Sequence, residues 1–288
     1  MIEYGADTKK FPKKYKKMLE DKTMLMIFTK PSLRTRISFQ RAMFDMSGHA
    51  IDYILPADDM KRDSIKDIAK TTSRYADCIM ARLHEHKDMI ELAENASVPV
   101  INGLTNFNHP CQALSDMLTI KENKGKLKGI RLVYVGDAKN NMTHSLMFVC
   151  AKLGLKMTVC CPRSMMPNKR VIDACKDISK RTKGSIMLKN STKGIEGADV
   201  VYTDTWMSYH IPQSQKKKRF SALKNFRVTK ALMSRAGKKA IFMHCLPAQR
   251  GVEVDQDVID GPQSVVYDQA ENRLHVQKAI LLKVFGKR

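Results

Sequence analysis

The sequence predicts an α/β protein of two domains, each a mostly parallel, doubly wound sheet flanked by helices. Three observations predict it. Short apolar runs of strand length alternate with helical segments along the chain. A polar stretch rich in Lys, Gly and Asn, Lys121–Gly129, interrupts the alternation near the middle. A length of 288 residues with 43% hydrophobic residues suits two domains of ordinary size. The expected boundaries are 1–124 for the first domain and 125–270 for the second, with a last helix over 271–288.

Met24–Thr29 is an apolar run that ends before Pro31, and it reads as a buried strand. Ser32 is placed to cap the next helix, in which Phe39, Met43 and Met46 share a face before Gly48 ends it. Ile65–Tyr75 reads as helix and Cys78–Ala81 as strand. A helix over His109–Ile120 opens with Pro110, a favoured first-turn residue. In the second half Arg131–Val135 is a strand running into Gly136 and Asp137. A helix over Thr143–Leu153 stops at Gly154, and Met157–Cys160 is again a strand. Val200–Tyr202, Ile241–Met243 and Val265–Tyr267 are further strand-sized runs, and the final helix is expected from Glu271 to Phe285.

Composition removes several functional classes. No apolar run approaches the roughly 18–20 residues of a membrane span, and the lysine-rich start lacks a secretory signal pattern, so a cytoplasmic protein is expected. The 7 cysteines are odd in number, irregularly spaced and without a C-x-x-C pair, which argues against a disulfide framework and a structural zinc. The net charge of +22 suits anionic partners of any kind. Its densest runs, Lys9–Lys17 and Lys216–Arg219, carry no helix-turn-helix, zinc-finger or RNP-like signature, so they read as solvated surface and no dedicated nucleic-acid binding is expected. His84-Glu85-His86 has no third ligand placed beside it and reads as a polar turn rather than a metal site.

Five clusters carry chemistry. Ser32-Leu33-Arg34-Thr35-Arg36 follows a strand and opens a helix, where backbone N–H groups, two hydroxyls and an arginine fork suit an anion. His109 and Gln112, three apart at another helix start, share a face. Gly136–Asn141 follows a strand but lacks G-x-G-x-x-G, which weakens a nicotinamide dehydrogenase. Asp204-Thr205-Trp206-Met207-Ser208 and His244-Cys245-Leu246-Pro247 both stand at strand ends. Neighbours on a strand face opposite ways, so His244 is poorly placed to activate Cys245 as a nucleophile.

In this order the clusters, with Val98–Leu104, His109–Leu114 and Glu271-Asn272-Arg273, resemble the aspartate/ornithine transcarbamylase family, most closely its ornithine-using branch. The resemblance runs from about Lys13 to the last helix. It implies that Ser32, Leu33, Arg34 and Thr35 hold the phosphate of carbamoyl phosphate, with Arg82 bridging phosphate and carbonyl oxygen. His109 would polarise the carbonyl. Gln112, Arg273 and the backbone carbonyls of Cys245 and Leu246 would hold the carbamoyl end. Asn141, Asp204, Ser208 and Tyr209 would bind L-ornithine, with Cys245 and Asp204 near the attacking amine. The resemblance further implies a homotrimer with shared sites, a last helix that packs on the first domain, a role in arginine metabolism, and no cofactor or metal.

Two local departures accompany it. Ser208 is followed by Tyr209-His210-Ile211-Pro212 where the family usually has Ser-Met-Gly, and a glutamine usual before Asp63-Ser64 is not apparent in Ala57–Arg62, where Lys61 or Arg62 would take its place. A transcarbamylase of another amine such as putrescine, a non-enzymatic member of the family, and a basic binding protein are the alternatives.

Overall fold

The computed structural model describes residues 1–55, 63–208 and 211–286. It divides into two compact units, Met1–Leu118 with Glu271–Arg288, and Thr119–Ala270.

Unit 1 is built on a four-stranded parallel sheet of β1 (Thr23–Phe28), β2 (His49–Ile54), β3 (Cys78–Arg82) and β4 (Val100–Leu104), in the order β2-β1-β3-β4. Its described helices include α1 (Ile2–Lys10), α2 (Leu33–Asp45), α3 (Ile65–Thr72), α4 (His86–Asn95) and the larger part of α5 (Pro110–Lys124). One apolar cluster gathers Met24, Met26 and Phe28 of β1 with Phe39 and Met43 of α2 and Leu281 and Leu282 near the C-terminus. The other gathers Ile27, Ile79, Ala81, Met89 and Leu92. Both faces of β1 and β3 are therefore covered, which is why Met24–Phe28 and Cys78–Ala81 read as continuous apolar runs rather than alternating ones.

Unit 2 carries five parallel strands, β5 (Arg131–Val135), β6 (Lys156–Cys160), β7 (Ser185–Lys189), β8 (Val200–Thr203) and β9 (Ile241–His244), in the order β7-β6-β5-β8-β9. Its helices include α6 (Asn141–Leu153), α7 (Lys169–Thr182), α8 (Lys216–Leu223), α9 (Lys230–Ala236) and α10 (Gln256–Ile259). The last helix, α11 (Val266–Val284), passes from unit 2 into unit 1 after Ala270. α6 stops at Gly154, whose φ of +73° is the left-handed terminator that glycine adopts without penalty; a Cβ there would meet Thr182 O at 2.8 Å. Among the described residues no helix is long and apolar enough to cross a membrane.

Several elements differ from the sequence reading. Val265–Tyr267 is no strand: Phe242 makes an isolated bridge to Ser264, and α11 begins at Val266. A short apolar run has no period of its own, and here the first turn of a helix buries Val266 against the unit 2 core. Lys121–Lys124, read as linker, completes α5, because lysine and glutamate are good helix formers wherever the preceding turns are already in place. β2, β4 and β7 were not anticipated as strands. β2 and β7 lie at sheet edges and hold few buried residues, so the apolar signal is thin. His84 and Glu85 do lie in a half-exposed turn, but His86 already opens α4, and its Nδ1 lies 3.1 Å from Thr105 Oγ1 with the ring against Phe107.

Candidate active site

In an open parallel sheet, ligand groups collect beyond the carboxyl ends of the strands, where neighbouring connections leave in opposite directions. The strand orders put that point between β1 and β3 in unit 1 and between β5 and β8 in unit 2. The predicted residues gather at both places.

In unit 1, Phe28 at the end of β1 is in register with Arg82 at the end of β3. This register brings together residues 50 apart: Arg82 Nη1 donates to Ser32 Oγ at 3.0 Å and to Thr35 Oγ1 at 3.3 Å. Ser32 occupies the N-cap position of α2, yet its side chain makes no capping bond. The expected cap is therefore replaced by a contact to arginine. Arg273 of α11 enters the same cluster, its Nη2 donating to Thr35 Oγ1 at 2.9 Å and its Nη1 to Gln112 Oε1 at 2.6 Å. Gln112 Nε2 donates in turn to Asp116 Oδ1 at 2.8 Å. The side chains of Thr35, His109, Gln112, Asp116 and Arg273 are all buried, whereas Leu33 is exposed. Burial, and then the nearby Arg273, Arg82 and Arg34, hold the His109 pKa well below its ordinary value of 6.5. His109 is thus a neutral imidazole in a cationic setting, a hydrogen-bond donor rather than a further charge.

In unit 2, Tyr134 and Val135 of β5 lead to Gly136. Its φ of +134° and its approach to Thr203 Oγ1, 3.3 Å from where a Cβ would stand, both favour glycine. Asn140 caps α6, its Oδ1 accepting from Thr143 N at 2.7 Å, so Asn141 is the first helical residue. Asn140 Nδ2 lies within hydrogen-bonding distance of Tyr134 OH (2.8 Å), Asp137 O (3.0 Å) and Asp204 Oδ2 (3.3 Å). Asp204 Oδ1 accepts from Thr205 N at 2.8 Å and from the Cys245 thiol at 3.2 Å. Burial pushes the Asp204 pKa up. β8 and β9 end in register, Thr203 opposite His244, which is why Asp204 and Cys245 meet one residue later.

His244 directs its ring nitrogens to Glu253 and Leu246 N. The ligand atoms of Asp204, His244 and Cys245 nonetheless lie within 4.8 Å of one another. Accepting from Leu246 N occupies the Nδ1 lone pair, so the trio fits a hydrogen-bond network better than a metal ligand set. Ser208 is described, its carbonyl accepting from Ile211 N at 2.9 Å, whereas Tyr209 and His210 lie outside the described residues, as do Lys61 and Arg62.

Sequence reasoning missed three contributors. Asn140 was passed over for its neighbour, although an Asn before a helix is a capping signal. Asp116 lies one helical turn beyond Gln112, a spacing that pairs side chains. Arg219 was read with the solvated run Lys216–Arg219, but it is nearly buried. Its guanidinium pairs with Asp137 and its Nε donates to Trp206 O at 2.9 Å. No periodicity marks it, because it is one basic residue in four.

Family models match both halves of the chain. Residues 1–122 match the carbamoyl-P binding domain of aspartate/ornithine carbamoyltransferase, and residues 128–284 match the Asp/Orn binding domain. The anabolic ornithine carbamoyltransferase of Pyrococcus furiosus is 48% identical over 274 residues, spanning 94% of this chain and 86% of the relative. The solved structure of ornithine carbamoyltransferase from Pyrococcus furiosus superposes with a TM-score of 0.94 at 47% identity, covering 99% of this chain and 92% of that one. That of ornithine transcarbamoylase from Giardia lamblia gives 0.91 at 43% identity, covering 100% and 93%. With both domains matched and relatives 43–48% identical over nearly the whole chain, the chain belongs to the aspartate/ornithine carbamoyltransferase family.

Proposed function

We propose that the protein transfers the carbamoyl group of carbamoyl phosphate to the side-chain amine of L-ornithine, giving L-citrulline and phosphate. The observation that carries this reading is the cluster of Ser32, Thr35, Arg82, Gln112 and Arg273 around a neutral His109. The phosphate sits at the start of α2 on Ser32, Leu33, Arg34 and Thr35, with Arg82 reaching both phosphate and carbonyl oxygen. As the neutral amine attacks, charge develops on that oxygen. Arg82 as a fixed cation and His109 as a fixed donor stabilise it without reorganising. Gln112, Arg273 and the carbonyls of Cys245 and Leu246 hold the carbamoyl NH2, and phosphate leaves toward the arginines.

In unit 2, Asp204 pairs with the α-ammonium of ornithine, and Asn141 and Ser208 receive its α-carboxylate end. A buried carboxylate with a raised pKa gains most from a cationic partner, so Asp204 is suited to select an amino acid over a plain diamine. Cys245, donating to Asp204, stands beside the attacking amine.

The assembly we infer is a homotrimer or a multiple of it. Leu33, Ile37 and Phe44 are exposed along α2, and edge strand β2 exposes Ile51, Tyr53 and Ile54 beside a groove of about 460 Å³ that Tyr75 also lines. Apolar surface of this extent on one unit, with an unpaired strand edge, suits burial against a second copy. A cytoplasmic role in arginine biosynthesis accords with the anabolic relative.

The test is citrulline formation with purified protein, comparing kcat/KM for ornithine, putrescine and N-acetylornithine under identical conditions. Ornithine should lead by at least tenfold; parity with either competitor defeats the ornithine assignment.

A further inference from the structure

Strand β9 ends at His244, and the chain then turns through Cys245 and Leu246, the latter at a φ of +58°. Leucine in left-handed backbone persists only where its surroundings hold it there. His244 supplies that hold, its Nδ1 accepting from Leu246 N at 2.9 Å. A ring nitrogen that accepts carries no proton, so the imidazole proton is on Nε2. Nε2 lies 3.3 Å from Glu253 Oε1, off the line of a straight hydrogen bond, and both side chains are wholly buried. Glu253 Oε1 also accepts from Gln249 N at 2.6 Å, and His244 N donates to Gln269 Oε1 at 2.9 Å. The ring is therefore fixed by backbone and side chain together, and Cys245 turns its thiol to Asp204 instead.

We propose that His244 and Glu253 are positioning residues whose work is to aim the backbone carbonyls of Cys245 and Leu246, an inference that rests on the carbamoyl-transfer reading in which those carbonyls receive the NH2 group. The competing role, a base that activates the Cys245 thiol, conflicts with the geometry. One ring nitrogen is occupied by Leu246 N, and the other faces Glu253.

Two substitutions separate the roles. His244→Asn puts a carbonyl oxygen near the former Nδ1 and keeps an acceptor for Leu246 N. His244→Gln reaches toward Glu253 and loses that acceptor. The Asn variant should stay within about threefold of the parent kcat, and the Gln variant should fall roughly ten- to a hundredfold, with both melting near the parent. Glu253→Gln, which retains an acceptor oxygen, should resemble the Asn variant. Equal losses in the Asn and Gln variants overturn the clamp. Where either variant fails to fold, ¹⁵N NMR of the imidazoles in the unaltered protein decides: the neutral His244 ring must show an unprotonated Nδ1 and a protonated Nε2. Protonation at Nδ1 overturns the proposal. Turnover of the unaltered protein judges the parent reading separately, since a protein that makes no citrulline defeats carbamoyl transfer itself, whereas an active one with the wrong tautomer defeats only the clamp.

Discussion

Arg273 and Gln112 lie 161 residues apart and meet at 2.6 Å inside unit 1, guanidinium to amide oxygen, both buried. The contact ties α11 to α5 and orients the amide, since Asp116 takes its other end. Gln112→Ala leaves the Arg273 and Asp116 groups short of a buried partner, a cost of about 1–3 kcal/mol. The expected outcome is a lower midpoint in urea and a weaker affinity for carbamoyl phosphate by calorimetry. Unchanged affinity would remove Gln112 from the site.

Arg34→Ala should cost roughly 1.5–3 kcal/mol in carbamoyl phosphate binding, with a larger loss in rate, because a charge-assisted contact to phosphate strengthens as the leaving group gains charge. Steady-state kinetics at saturating ornithine reads both. Unaltered turnover would show that the helix start is not the phosphate site.

Arg219→Met breaks a pair whose side chains are 11% and 4% exposed and frees the loop after Asp204 from α8. Removing one member of a buried pair costs about 3–5 kcal/mol. The KM for ornithine should rise by roughly tenfold or more, with carbamoyl phosphate affinity unchanged, since the groups proposed for its phosphate lie in unit 1. A parallel loss of both affinities would make Arg219 merely structural.

The depressed pKa of His109 makes stability depend on pH with a definite sign. The unfolded chain takes up a proton below about 6.5 while the native His109 does not, so its contribution is complete above that value and is lost as pH falls toward the depressed native value. The slope is at most about 1.4 kcal/mol per pH unit per group. His86 and His275, also depressed by burial, act in the same direction. Melting curves from pH 7.5 to 5 should therefore descend, and His109→Gln should descend less steeply. Parallel curves would mean that His109 is protonated in the native state.

If the exposed apolar residues of α2 and β2 form an interface, light scattering should report at least a trimer at assay concentration, and Ile51→Lys with Tyr53→Lys should yield smaller species. A fully active monomer refutes the assembly.

Much of the fold and part of the candidate site are legible in the sequence. Ser32–Arg36 is readable as an anion site because a strand, a capping residue and an arginine pair announce one through local chemistry, whereas Arg82 and the role of His109 come only with the family resemblance. Arg273 and the Cys245–Asp204 contact were not readable from local pattern; they depend on register, and were reached only by resemblance. Asp116, Asn140 and Arg219 escaped both routes. Each acts on another residue rather than on a ligand, so its role exists only once the fold has brought its partner near.

The Ser32 hydroxyl serves Arg82 rather than its own helix, and that choice bears on turnover. With the phosphate site assigned there, the start of α2 is completed by an anion from outside, and its donors have no means of telling the phosphoryl group of an acyl phosphate from the free ion that the reaction releases. Inorganic phosphate should compete with carbamoyl phosphate for the same donors, so the reaction is expected to slow as its own product accumulates, and net flux in a phosphate-rich medium depends on how fast citrulline is drawn away.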